Sequence, residues 1–176
     1  MRIAISSGKG GTGKTFIATN LAAIASADGR KVTYLDCDVE EPNGHLFLKP
    51  EDESSEPMTV RSPLRIDADT CVACGKCASA CRYNALAVIK DKVLLFEELC
   101  HACGVCSLAC PEGAIIEGDR PIGELRHGKS GEIGMHYGLL RTAAGGMSPR
   151  LIHALKAYAG EDLTILDSPP GTACST

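Results

Sequence analysis

Eight residues near the start of the chain, Gly8-Lys9-Gly10-Gly11-Thr12-Gly13-Lys14-Thr15, restrict the fold more than any other stretch. They follow the apolar run Ile3-Ala4-Ile5-Ser6 and precede a helical pattern. Gly8 with Gly13-Lys14-Thr15 satisfies G-x-x-x-x-G-K-[ST] in the strand, loop and helix setting that gives the motif meaning. Four glycines let the backbone curl until its N–H groups point at an anion, and the positive end of the following helix adds to that field. The expected site is a phosphate cradle built from Gly8, Gly10, Gly11, Thr12, Gly13, Lys14 and Thr15. Lys14 is expected on the β- and γ-phosphates of a nucleotide and the Thr15 hydroxyl on Mg2+. The competing reading is a glycine-rich turn before an ordinary helix.

The pattern after the loop predicts a helix from about Lys14 to Asp28, with Phe16, Ile17, Leu21 and Ile24 on an apolar stripe. Small Ala18, Ala22 and Ala25 permit close approach to a sheet, and Gly29 is the expected stop. Val32-Thr33-Tyr34-Leu35-Asp36 reads as a buried parallel strand, so strand, helix and strand make the βαβ unit of a doubly wound α/β fold. Asp36 and Asp38 follow at that strand's C-terminal edge, where open α/β sheets bind ligands. Lys49 to Pro57 carries charge, serine and proline without apolar periodicity, and reads as a solvated boundary.

Lys9 is not required by an ordinary phosphate loop. The string Lys9 to Thr15 resembles the deviant Walker A loop of the ParA, MinD and nitrogenase iron protein superfamily. That resemblance implies that Lys9 crosses a dimer interface to the nucleotide of the partner; a solvated loop lysine is the alternative. Asp36-Cys37-Asp38 followed by Pro42-Asn43 is similar to the switch I pattern of the same superfamily. By that resemblance Asp38 aligns the attacking water and senses γ-phosphate and Mg2+, while Asp36 supports the site. Lys9, Lys14 and Asp38 are therefore the expected catalytic residues.

Ten cysteines are many for 176 residues, and with Met1-Arg2 leading directly into a strand they point to metal rather than to disulfides. Cys71, Cys74, Cys77 and Cys81 have the spacing C-x2-C-x2-C-x3-C; Cys100, Cys103, Cys106 and Cys110 repeat it 29 positions later, with Pro111 after the last. Ala85-Leu86 maps onto Ala114-Ile115 in the same way, so the segment is an internal duplication. The spacing resembles the run of bacterial two-cluster ferredoxins, in which the fourth cysteine serves the other cluster. The resemblance implies a crossed pairing: Cys71, Cys74, Cys77 and Cys110 hold one 4Fe-4S cluster, and Cys100, Cys103, Cys106 and Cys81 the second. Arg82 stands where the usual proline would follow the first run. Two structural zinc sites are the competing reading, although zinc ribbons separate their pairs by a longer gap. Leu86-Ala87-Val88-Ile89 and Val93-Leu94-Leu95-Phe96 flank Lys90-Asp91-Lys92 as a hairpin between the motifs. His101 is expected to be exposed rather than a ligand. Cys37 and Cys174 lie outside the set and could ligate cargo, or simply be buried as small apolar residues.

After Pro121 the expected elements are extended segments at Ile122 to His127 and Ile133 to Leu140. A helix capped by Ser148 and running to about Tyr158 follows, then the buried strand Leu163-Thr164-Ile165-Leu166-Asp167. Asp167 closes that strand as a Walker B acid expected to hold Mg2+. Gly171 ends a D-x-x-G pattern that in related proteins turns toward γ-phosphate as switch II.

Together these features resemble a branch of the MinD/ParA superfamily of P-loop ATPases that carries an inserted ferredoxin-like α+β domain. The implied organisation is an ATPase domain in residues 1–60 and 120–176 with the insert at 61–119. The implied cofactors are ATP or ADP, Mg2+ and two 4Fe-4S clusters. The implied activity is a cytoplasmic ATPase switch, slow without its partner, that dimerises on ATP with itself or a paralogue and couples to a redox or metalloprotein client. The alternatives are an iron-sulfur or metallocentre delivery factor and a non-hydrolysing electron carrier. A net charge of -4 without a basic stripe gives no reason to expect nucleic acid. The chain stops nine residues after Asp167, short of the switch II helix, further strands and adenine-contacting loop that the resemblance implies. The expectation is a C-terminally incomplete domain, with base selectivity and any C-terminal membrane helix in the missing part.

Overall fold

The computed structural model describes residues 1–142, 144 and 146–171, and at Asp52 the backbone alone. Strands are β1 (Arg2–Ile5), β2 (Val32–Asp36), β3 (Glu51–Ile66), β4 (Leu86–Ile89), β5 (Lys92–Leu95), β6 (Ile115–Ser130), β7 (Ile133–Leu140) and β8 (Leu163–Asp167). Helices are α1 (Lys14–Ala27), α2 (Gly44–Leu48), α3 (Lys76–Ala80), α4 (Val105–Ala109) and α5 (Ser148–Lys156). The chain divides into two compact units, one of Met1–Met58, Gly123–Arg141 and Ser148–Thr176, the other of Thr59–Ile122 and Thr142–Met147.

The first unit is built on a sheet of order β1-β8-β2-β7-β6-β3. β1 with β8, β8 with β2 and β2 with β7 are parallel, and β6 returns antiparallel to β7. This is the mostly parallel α/β sheet that the sequence implies. β2 and β8 carry apolar side chains on both faces because helices cover both. Ala18, Ala22 and Ala25 of α1 pack with Val32, Tyr34, Met135, Tyr137 and Ile165 on one face. On the other face Gly138 of β7 leaves room for Leu151 and Leu155 of α5, since a Cβ there would sit 3.3 Å from each.

α1 ends as Gly29 predicts. The Arg30 N–H donates to the Ala25 carbonyl and the Gly29 N–H to that of Ser26, with Gly29 at φ +80, which is a Schellman closure. Its apolar stripe is not where the periodicity puts it: Phe16, Ile17 and Ile24 are exposed and only Leu21 of that set packs on the core. The alanine face wins because it brings the helix backbone nearest the sheet. Lys49 to Pro57 also departs from expectation, since Glu51 onward is strand β3 rather than a loop. β3 is the last strand of the sheet; its pairing is a backbone matter, and charge with Pro57 is what an edge strand tolerates.

In the second unit the 29-residue duplication is written into the backbone. Ala73 and Ala102 both have φ +51, Gly75 and Gly104 have φ +77 and +74, and Asn84 and Gly113 have φ +54 and +64. α3 and α4 begin after the paired glycines, and β4 and β5 form the expected hairpin, one residue earlier on its second strand. Among the described residues no helix is long and apolar enough to cross a membrane.

Candidate functional site

The glycine loop joins β1 to α1 at the C-terminal edge of the parallel strands. Its stem is tied to the segment after β8, because the Ser168 N–H donates to the Ile5 carbonyl (3.0 Å) and the Gly171 N–H to that of Ser7 (2.9 Å). The hydroxyls of Ser7 and Thr12 both donate to the Lys9 carbonyl, at 2.7 and 3.4 Å, which curls the loop. Gly13 precedes the helix at φ +86, and α1 has neither a capping side chain nor an acidic residue in its first turn. Its leading N–H groups are therefore left for an anion. A Cβ at Gly8, Gly10, Gly11 or Gly13 would meet nothing within 4 Å, so the cradle is open. Thr15 is half-buried, while Lys9 and Thr12 are exposed.

Lys14 is buried and its ammonium favours the charged forms of both Asp38 and Asp167. Asp36 and Asp167 are direct neighbours across β2 and β8, and both are fully buried. Burial and the facing carboxylate push Asp36 up to about 7, although the N–H groups of Gly44 (2.8 Å, to Oδ2) and Asp38 (3.1 Å, to Oδ1) oppose the shift. Burial also raises Asp38 and Asp167. The Tyr34 hydroxyl donates to Asp167 Oδ2 at 3.0 Å. Asp167 Oδ1 is buried with no hydrogen-bond partner; Thr15 favours its ionised form yet closes no hydrogen bond onto it. A buried carboxylate oxygen left open beside a hydroxyl suits a hydrated divalent cation, so this donor set fits Mg2+.

Asp38, Glu40, Ser148, Pro169 and Gly171 line one pocket, which gathers the segments after β2 and β8 beside the N-terminus of α5. Ser148 Oγ donates to Glu40 Oε1 at 2.7 Å rather than serving only as a helix cap. Cys37 also borders this pocket but is 2% exposed, and burial pushes its thiol up to about 12. It stands as a protonated core residue. Cys174 lies outside the described residues.

The eight motif cysteines sort into two pockets. Cys71, Cys74, Cys77 and Cys110 line one; Cys81, Cys100, Cys103 and Cys106 line the other. The fourth cysteine of each run thus lies with the first three of the other. Backbone N–H groups turn toward the sulfurs at equivalent places, Ala85 to Cys81 Sγ (3.4 Å) and Ala114 to Cys110 Sγ (3.3 Å), a setting that suits thiolate. Among the described residues no three His, Cys, Asp or Glu side chains converge on a position for a single ion. Four sulfurs spread around a pocket fit a cluster better than one tetrahedral zinc at about 2.3 Å from each. His101 is half-buried, not exposed, and stacks on Tyr83 with ring centroids 3.7 Å apart.

Sequence reasoning missed Tyr34 and Gly44. A tyrosine inside an apolar strand reads as core, and a glycine opening a short helix reads as a turn; only the cross-strand geometry joins them to Asp167 and Asp36.

The family described as CobQ/CobB/MinD/ParA nucleotide binding domain matches residues 3–164. An uncharacterized protein of Methanocaldococcus jannaschii is 39% identical over 187 residues, 99% of this chain and 61% of that protein. The chain therefore spans about three fifths of that relative's length. The iron-sulfur cluster carrier protein of Salmonella typhimurium is 49% identical over 51 residues, 29% of this chain and 14% of its own. Among solved structures, the septum site-determining protein MinD complexed with Mg-ADP from Pyrococcus horikoshii aligns over 99% of this chain and 51% of its own, at 19% identity and a TM-score of 0.46.

Proposed function

Since the chain belongs to the CobQ/CobB/MinD/ParA nucleotide-binding family, we propose that it is an ATP-binding, ATP-hydrolysing switch that dimerises on ATP and couples its nucleotide state to two 4Fe-4S clusters used in electron transfer. One observation carries the nucleotide half: buried Lys14 and the uncapped α1 N-terminus sit beside Asp38 and Asp167, whose Oδ1 has no partner. Gly8, Gly10, Gly11, Thr12 and Gly13 cradle the phosphates, and Lys14 neutralises their charge. Thr15 and Asp167 hold Mg2+, Asp38 orients the attacking water, and Gly171 turns toward the γ-phosphate. Lys9, exposed on the loop, reaches the nucleotide of the partner subunit, a second copy or a paralogue. The crossed sorting of the cysteines supports two cluster sites, which when filled supply one-electron chemistry. The chain passes between the two units within β3 and again within β6, which gives nucleotide state a covalent route to the cysteine unit.

A delivery factor, in which the clusters are cargo for a client metalloprotein, is the second reading. It is favoured by the short matches to iron-sulfur cluster carrier proteins and by the exposure of Cys74 and Cys103. An electron carrier that never hydrolyses ATP is the third. Purified chain should contain about eight iron and eight sulfide, show a reducible 4Fe-4S EPR signal, and hydrolyse ATP with ATP-dependent dimerisation. Stoichiometric zinc without sulfide would refute the cluster assignment. Dimerisation without hydrolysis selects the electron carrier, and cluster transfer to an apo-acceptor on ATP turnover selects the delivery factor.

A further inference from the structure

Asp36 and Asp167 stand directly opposite each other on adjacent parallel strands, so four carboxylate oxygens crowd one buried spot below the glycine loop. Like charges so placed repel, and each oxygen without a donor adds a desolvation cost. Three of the four are provided for. Asp36 Oδ1 accepts from the Asp38 N–H, Asp36 Oδ2 from the Gly44 N–H, and Asp167 Oδ2 from the Tyr34 hydroxyl at 3.0 Å. The fourth, Asp167 Oδ1, is buried with no partner among the described residues. A carboxylate pinned at one oxygen and open at the other has a set direction.

Resting on the nucleotide-site reading above, we propose that Tyr34 is the positioning residue of this site: its hydroxyl fixes the Asp167 carboxylate so that Oδ1 is presented to the Mg2+ of a bound nucleotide. Register gives the reason. Tyr34 pairs with Ile165, two residues before Asp167, so its side chain lies on the same sheet face as the acid and reaches it diagonally. The ring is fully buried among Ala18, Ala22, Met135 and Ile165, and cannot swing away. A buried phenol needs a partner for its O–H, and here the partner is the acid that closes β8. Position 44 is shaped around this arrangement. A Cβ there would come within 2.7 Å of Tyr34 Cε1 and Oη and 2.9 Å of Asp36 Oδ2, so only glycine lets the phenol and the neighbouring carboxylate keep their places. Tyr34 touches neither phosphate nor metal; it acts through Asp167, as outer partners of metal ligands commonly do.

The test is calorimetric titration of ADP into the full chain and into Tyr34→Phe, in EDTA and across a series of Mg2+ concentrations, with thermal melting as the check on folding. Tyr34→Phe should bind ADP in EDTA as the wild type does, and should require roughly 10–100-fold more Mg2+ to reach its metal-dependent affinity. A residue with only a structural role would lower the melting temperature and leave the Mg2+ midpoint in place, and that result overturns the proposal. Should Tyr34→Phe fail to fold, Gly44→Ala keeps the phenol but crowds its hydroxyl; its Mg2+ midpoint must shift in the same direction, and an unchanged midpoint again overturns it. Wild-type chain that binds no ADP with or without Mg2+ would overturn the nucleotide reading itself, whereas wild-type binding beside an unshifted variant removes Tyr34 alone.

Discussion

Gly44→Ala pits two ordinary expectations against each other, and they differ in sign. Gly44 opens α2 at a negative φ, and alanine is the better helix residue by roughly 0.5–1 kcal/mol, so propensity alone predicts a gain. Sterics predict a loss. The new methyl would lie 2.7 Å from the Tyr34 ring and hydroxyl and 2.9 Å from Asp36 Oδ2, closer than carbon atoms rest. The ring cannot retreat, because Tyr34 is fully buried against α1 and the sheet. Relief then comes from displacing α2, which breaks the 2.8 Å hydrogen bond from the Gly44 N–H to Asp36. Overpacking costs about 1–3 kcal/mol, and a hydrogen bond to a charged group about 1.5–3 kcal/mol. These are alternative routes for the same strain rather than additive ones, so about 2–3 kcal/mol is the gross loss. Net of propensity, Gly44→Ala should destabilise by about 1–2 kcal/mol, or lower Tm by roughly 2–8 °C for a domain of this size. Urea unfolding of ligand-free protein, followed by far-ultraviolet circular dichroism against the wild type, measures it. An unchanged or raised midpoint would show that α2 yields freely and that position 44 is not shaped by Tyr34.

Lys14→Ala should abolish nucleotide binding by equilibrium dialysis. Lys9→Ala should keep monomer binding while losing ATP-dependent dimerisation and hydrolysis, and normal turnover in that variant would refute its role across the interface. The crossed cysteine sorting separates two double variants by iron count. Cys77→Ser/Cys110→Ser should retain about four of eight irons, because both residues serve one cluster, whereas Cys77→Ser/Cys81→Ser should lose nearly all; the reverse pattern means uncrossed sites. Asp36 sets a pH dependence. Its folded value near 7 lies above the unfolded value of 3.8, so its contribution is fully present below about pH 4 and is lost as pH rises to 7. The stability difference between wild type and Asp36→Ala should therefore favour the wild type most near pH 4.5 and shrink toward pH 7.5. A difference that grows with pH would mean that the two N–H donors outweigh burial.

Residues whose spacing encodes backbone geometry were the readable ones. Gly13 and Gly29 bracket α1 because each must take a left-handed φ, and the start and stop of that helix follow from them. β8 runs from Leu163 to Asp167 as an unbroken apolar run predicts, since strands covered on both faces need no alternation. The failures have a common cause. Phe16, Ile17 and Ile24 are larger and more apolar than Ala18 and Ala22, so periodicity assigns them to the core. Contact with a sheet is instead decided by how near the helix axis can come, and the alanine face comes nearer. β3 was hidden because its residues from Glu51 to Pro57 owe their conformation to β6, which lies more than fifty positions later; no local signal in a polar edge strand reports a partner so distant.

The candidate site divides along the same line. Lys14, Thr15, Asp38 and Asp167 were legible because each is attached to a local pattern, the loop before a helix or the acid at the end of a strand. What those patterns leave undetermined is direction. Asp167 has two oxygens, and its place at the end of β8 does not say which of them faces the loop. That choice falls to Tyr34, one strand away and 133 positions earlier, through a single hydrogen bond. Gly44, eight positions after Asp36, secures the neighbouring acid in the same way. A tyrosine to phenylalanine change would leave every sequence pattern described above intact and remove the donor that orients Asp167. The motif therefore specifies which groups meet the phosphates and the metal, and the packing behind it specifies how they are aimed.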